Sequence, residues 1–147
     1  MAPLLELPAV LAKSPPSFQI ERVHRHTKDE VERALAEENT TMREYWILSC
    51  VTAQPCSQTQ LATLLAIEAS EMVRLIDSLE GHGWVPRDRD PKDRRRQIVT
   101  PTKKGTKAHA ELATRVAAAE ERALDASSQK QLKGLKKLSR AILGDTE

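Results

Sequence analysis

The chain has 147 residues, 39% of them hydrophobic, yet only Phe18, Tyr45, Trp46 and Trp84 are aromatic, which suits one domain with a thin core that a second copy would help to complete. A formal net charge of +2 is too small to mark a nucleic-acid binder by itself, so the distribution of charge has to decide. Two cysteines, Cys50 and Cys56, are too few for a disulfide framework, and no stretch approaches the roughly 20 apolar residues of a membrane span.

The run Pro3 to Leu11 is apolar, but it lacks a basic leader and contains Glu6 and two prolines, so it reads as an irregular arm over residues 1–16 rather than a secretory signal. That reading places the protein in a reducing cytoplasm. Phe18, Ile20, Val23, Val31 and Leu35 recur among charges and predict a first helix ending near Asn39. Thr41-Met42-Arg43-Glu44 reads as a capping box, with hydroxyl and carboxylate each meeting an end N–H, and opens a helix through Tyr45, Ile47, Leu48 and Val51 that Pro55 closes.

Ser57-Gln58-Thr59-Gln60 reads as a second capping box, launching a short helix with Leu61, Ala62, Leu64 and Leu65. After a bend at Glu68-Ala69, the series Met72, Val73, Ile76 and Leu79 predicts another helix that stops at Gly81-His82-Gly83, where glycine suits a left-handed cap. Two strand-like pieces come next, Trp84 to Arg87 and Gln97 to Thr100, flanking the turn Asp88 to Arg96. From Trp84 to Lys104 there are eight Lys or Arg against Asp88, Asp90 and Asp93, a net of +5, which leaves −3 for the rest of the chain. A short helix, a tight turn, a second helix and a basic hairpin predict a winged helix-turn-helix.

Beyond Thr102 an Ala-rich helix carries Leu112, Val116, Ala119 and Leu124, breaks at Ser127-Ser128, and gives way to a last helix with Leu132, Leu135, Leu138 and Ile142 spaced by three and four. Such a stripe demands a partner surface. The predicted fold class is therefore mainly α with a small β-hairpin wing, a winged helix-turn-helix core flanked by terminal dimerisation helices. The domain would span residues 17–147, with dimerisation helices over 17–40 and 106–147 and the DNA-binding part over 41–105.

Several residues carry the expected chemistry. Arg94 at the wing tip suits insertion into a narrow, strongly negative minor groove. Arg89, Lys92, Arg95 and Arg96 suit phosphate contacts, which add salt-dependent affinity without reading sequence. On the second helix of the pair Ser70 and Arg74 share a face, with Glu71 and Ser78 beside them, opposite Met72, Ile76 and Leu79. Arg74 can read guanine or hold phosphate, a glutamate can accept from cytosine N4, and Val73 can touch a thymine methyl. Thr59 and Gln60 can meet phosphate at the start of the short helix, although capping alone accounts for them nearly as well. Cys50 and Cys56 invite a redox-sensor reading, but Cys50 lies in an apolar helix where cysteine behaves as a small hydrophobe. His24 and His26, two apart, fall on different sides of a helix, so no metal is expected. No phosphate-cradling glycine loop, zinc-spaced cluster or nucleophile motif suggests an enzyme or a cofactor.

From Thr41 to Gly105 the chain resembles the MarR family of winged-helix transcription regulators. The resemblance lies in Gln60-Leu61-Ala62, Arg74 to Glu80, Gly83-Trp84-Val85, Asp90-Pro91-Lys92-Asp93-Arg94-Arg95 and Thr100-Pro101-Thr102-Lys103-Lys104-Gly105. It implies a homodimer joined through its terminal helices, binding double-stranded DNA at a palindromic operator, usually as a repressor released by a small phenolic or oxidant signal. It implies further that Asp93 pairs with a neighbouring arginine to hold the wing, and that Arg22, Arg43, Tyr45 and Trp46 lie where phenolic ligands bind in some relatives. Helix packing accounts for Tyr45 and Trp46 equally well. The family's hydroperoxide sensors carry their reactive cysteine in the first helix, which has none here. Glu68, Glu71 and Val73 depart from the family's usual small polar residues and leave the operator sequence open. The alternative reading is a winged-helix protein-interaction module without operator specificity.

Overall fold

A computed structural model describes Lys13 and residues 15–144; the expected N-terminal arm lies almost wholly outside the described residues. In chain order the elements are α1 (Pro16–Ala36), α2 (Met42–Ala53), β1 (Cys56–Ser57), α3 (Gln58–Leu65), α4 (Ala69–Gly81), β2 (Arg87–Arg89), β3 (Gln97–Val99), α5 (Lys103–Ala123) and α6 (Gln129–Leu143). They divide into two compact units, residues 31–118 and a second unit made of the chain before Val31 and from Ala119 onward.

In the unit of residues 31–118 the core is aliphatic. Leu35, Ile47, Leu48, Leu61, Met72, Ile76, Leu79 and Val99 are fully buried, so the predicted apolar faces of α2, α3 and α4 meet one another. Asn39, in the left-handed region at φ 55°, turns the chain between α1 and α2. The expected capping box at Thr41 is only half formed. Thr41 accepts from the Glu44 N–H at 3.2 Å, but Glu44 is buried and its carboxylate accepts from the Thr40 hydroxyl at 2.9 Å instead. The Met42 N–H donates to Glu32. The box at Ser57 is complete: Ser57 Oγ accepts from the Gln60 N–H at 3.1 Å and the Gln60 side chain accepts from the Ser57 N–H at 2.8 Å. Ala66 at φ 52° then makes the turn into α4.

The sheet differs from the expected two-stranded hairpin. Its order is β1-β3-β2, all antiparallel, with Cys56 opposite Val99 and Arg89 opposite Gln97. The two-residue β1 has no side-chain period to announce it. The leading wing strand starts at Arg87, not Trp84, because the Trp84 backbone is already engaged: its N–H donates to the Leu79 carbonyl at 3.1 Å and its carbonyl accepts from the Thr102 N–H at 2.9 Å. Trp84 and Val85 are buried as part of the core.

One joint holds α4, the wing and α5 together. Thr102 Oγ1 donates to the Gly83 carbonyl at 2.7 Å and accepts from the Gly105 N–H at 2.9 Å. Gly83 sits at φ 77°, the left-handed cap expected there. The His82 ring stacks on Trp84, with centroids 4.0 Å apart, and its Nε2 donates to the Asn39 carbonyl at 3.0 Å. A Cβ on Gly105 would lie 2.0 Å from the Trp84 carbonyl oxygen, so α5 can approach the wing only because this position lacks a side chain.

In the second unit, His26 Nε2 donates to the Ala123 carbonyl at 2.9 Å and Arg122 lies 3.6 Å from Glu30. Ser128 and Gln131 form a capping box at the start of α6, where the sequence reads only as an interruption. The α6 helix buries none of its residues. Leu135, Leu138, Ile142 and Leu143 are exposed, as are Ile20 and Val23 on α1.

Gly105→Ala should destabilise the protein by about 1–3 kcal/mol, the usual cost of overpacking, because the neighbour is backbone and cannot turn aside. Alanine's better helix propensity, worth about 1 kcal/mol, acts the other way and does not offset the clash. A urea titration followed by circular dichroism measures the difference, and an unchanged midpoint would contradict the close approach.

Candidate nucleic-acid interface

The α4 helix turns about 100° per residue, which places Met72, Ile76 and Leu79 on the buried face and Ser70, Val73, Arg74 and Asp77 on the exposed one. Ser78 is half-buried on one flank. Glu71 lies on the same flank and forms an ion pair with Arg43 of α2, across 28 residues of sequence. Glu68, at the start of α4, gives no side-chain cap. Among the described residues the Arg74 side chain makes no ion pair and stands exposed.

The tip of the wing is built by its acids. Asp90 Oδ1 accepts from the Lys92 N–H at 2.9 Å, and Asp93 Oδ1 accepts from the Arg95 N–H at 3.1 Å. These are two successive turns of the kind in which a short carboxylate mimics a backbone carbonyl. Three backbone bonds close the loop: Asp90 N–H to the Arg96 carbonyl, Asp93 N–H to the Asp90 carbonyl and Arg96 N–H to the Asp93 carbonyl. Asp93 also accepts from Arg95 Nε at 3.1 Å, the arginine pairing expected of it, and that bond foremost holds its carboxyl below the usual carboxylate range. Arg89 Nη1 donates to the Arg94 carbonyl at 3.0 Å. The side chains of Lys92, Arg94 and Arg96 project into solvent with no ion pair among the described residues.

Thr59 and Gln60 are both exposed at the start of α3. With Thr63, Leu64 and Arg96 they line an open groove of about 800 Å³ between α3 and the root of the wing. The groove adds two residues that periodicity does not single out. Leu64 is expected among the apolar residues of the short helix but is 65% exposed, and Thr63 presents its hydroxyl one turn beyond Thr59. The mismatch of Leu64 with the buried stripe is the available signal.

Of the residues expected around a phenolic ligand, Arg22, Arg43 and Tyr45 each have a different partner. Arg43 holds Glu71, Arg22 stands 6.0 Å over the Phe18 ring, and Trp46 is exposed. Tyr45 stacks on His109 with centroids 5.4 Å apart. The Ser49 hydroxyl donates to the Tyr45 carbonyl, leaving its oxygen to accept from His109 Nε2 at 2.9 Å. Burial pushes the His109 pKa down. Cys56 is buried and its thiol donates to the Gln54 carbonyl at 3.3 Å, while Cys50 is half-buried. Burial raises both thiols, and Cys50 adds to the shift of Cys56. This is the opposite of what an oxidant sensor's thiolate needs. Among the described residues no cluster of three metal-ligating side chains occurs, and no helix is long and apolar enough to cross a membrane.

Residues 40–96 match the model of the MarR family. No curated protein matches the chain. Among solved structures, the chain is similar to a MarR-family transcriptional regulator from Rhodococcus sp. RHA1, at 26% identity and a TM-score of 0.79, covering 86% of this chain and 90% of the other. It is likewise similar to CouR from Rhodococcus jostii RHA1 bound to p-coumaroyl-CoA, at 26% identity and a TM-score of 0.78, covering 95% and 99%. A mutant MarR from E. coli, solved with operator DNA, shares the fold at 19% identity and a TM-score of 0.79, covering 93% and 99%.

The Asp93 carboxyl should titrate below the ordinary value of 3.8. Because its folded pKa is depressed, its contribution is present above the unfolded value and is lost as pH falls through the folded one. Amide resonances of Arg95 and Arg96 should therefore move on acidification with a midpoint below that ordinary value. A midpoint at or above 3.8 would show that the Asp93–Arg95 turn does not persist in solution.

Proposed function

We propose that this chain, which carries the MarR-family winged helix over residues 40–96, is a homodimeric, sequence-specific DNA-binding transcription regulator of the cytoplasm, acting as a repressor. The observation that carries the reading is a pair of exposed cations without ion pairs among the described residues, Arg74 on α4 and Arg94 at the wing tip, mounted on a fold that a neighbour uses with operator DNA bound. The α4 helix enters the major groove, where Arg74 reads guanine and Val73 offers an apolar surface to a thymine methyl. Arg94 enters the flanking minor groove, where a narrow groove concentrates negative potential. Lys92, Arg95 and Arg96, with Arg89 behind them, contact phosphates, and the groove of Thr59, Gln60, Thr63 and Leu64 takes the backbone beside α3.

Dimerisation rests on the exposed leucines of α6 and on Ile20 and Val23 of α1, a set of apolar residues that water would otherwise cover. Two copies related by a two-fold axis present their α4 helices about 34 Å apart, one turn of DNA, and so require a palindromic operator. Release is by a small effector, a reading supported by a fold neighbour solved with p-coumaroyl-CoA bound. The raised pKa values of Cys50 and Cys56 favour a small molecule over an oxidant as that signal.

Arg94→Ala should weaken operator binding and reduce the salt slope by about one, measured by fluorescence anisotropy from 50 to 200 mM salt. Equal affinity and slope in a normally folded dimer would remove Arg94 from the interface. Arg74→Ala should relax base preference in a selection from random duplexes; retention of the same preferred sequence at full affinity would exclude a reading role. Leu138→Glu should shift the protein to a monomer in sedimentation velocity, and a dimer that persists would place the interface elsewhere.

A further inference from the structure

We propose that Arg43 is a positioning residue that sets the base preference of α4, by drawing the Glu71 carboxylate onto the α2 side of the helix and away from the groove floor. The inference rests on the DNA-binding reading of α4. It is carried by the Arg43–Glu71 pair and by where that pair sits.

Glu71 comes one residue after Ser70, so it stands about 100° round the helix from it, on the flank of the exposed face formed by Ser70, Val73, Arg74 and Asp77. Its place in the first turn suits the helix, because a carboxylate there answers the positive end of the dipole, and Glu68 supplies no side-chain cap. The same place is unfavourable for DNA, since an unpaired acid at the groove edge repels phosphate. It also competes for a base, because it can accept from cytosine N4. The guanidinium of Arg43 resolves both conflicts. It neutralises Glu71 locally and occupies the carboxylate, leaving Arg74 and Val73 as the groove-facing residues that distinguish bases.

Both partners are partly exposed, 46% for the Arg43 side chain and 31% for that of Glu71, and exposed pairs contribute little to stability. Fold stability is therefore a weak reason for joining α2 to α4 here. When DNA covers the site and excludes water, the same pair matters more, because an unpaired charge left in that environment is costly.

The test compares wild type, Glu71→Gln, Arg43→Ala, Arg43→Lys and the double variant Arg43→Ala/Glu71→Gln, each checked for fold by circular dichroism and each run through selection from random duplexes and anisotropy titration. Arg43→Ala should lose roughly tenfold in affinity and gain a preference for cytosine at one position per half-site, as Glu71 becomes free to accept. Glu71→Gln should keep the wild-type preference and steepen the salt slope by about one, as the released Arg43 finds a phosphate. Arg43→Lys should retain the wild-type preference. The double variant should recover most of the affinity lost in Arg43→Ala. Additive effects of the two single substitutions would overturn the proposal, as would a changed base preference in Glu71→Gln with none in Arg43→Ala. A wild-type protein that selects no sequence would defeat the DNA-binding reading itself, a result distinguishable from either of these.

Discussion

The contact on which the arrangement of residues 31–118 depends is the approach of the α5 backbone at Gly105 to the carbonyl of Trp84. Only a residue without a side chain allows it, since any Cβ would lie 2.0 Å from that oxygen. Around it Thr102 bonds both Gly83 and Gly105, and His82 bridges from the indole of Trp84 to the turn at Asn39. The end of α4, the root of the wing and the start of α5 thus share one small set of polar groups. A shift of any one of them breaks a hydrogen bond to the backbone of another. The α4 helix is thus held at its C-terminal end by these bonds as well as along its buried face.

The features legible in the sequence are those that depend on near neighbours. The Ser57-Gln60 box, the left-handed Gly83 and the stripe of α4 each involve residues a few positions apart, and each forms as expected. The errors arise where a distant partner prevails. Trp84 and Val85 have strand-like side chains, but Leu79 and Thr102 claim the Trp84 backbone, so β2 begins later. Glu44 has the spacing of a capping box, yet Thr40 takes its carboxylate. At the candidate interface the basic residues are visible as a cluster of charge. The pairing of Arg43 with Glu71 is not, because nothing local relates residues on separate helices.

The two cysteines show the same limit of local spacing. Two cysteines six positions apart look like a reactive pair when only spacing is available, whereas burial decides reactivity. The fold buries Cys56 in the first strand and leaves it a backbone carbonyl as partner. A low-pKa thiolate needs cationic neighbours and access, whereas burial and the neighbouring Cys50 raise the Cys56 thiol.

The construction of the wing limits how basic it can become. Asp90 and Asp93 lie within the most positive stretch of the chain, and both are spent on folding the loop. Exchanging either for lysine would add charge but remove a carboxylate that holds the loop beside Arg94. On the proposed DNA-binding reading, tighter binding cannot come simply from more cations at the tip, and falls to contacts elsewhere, such as those of α4.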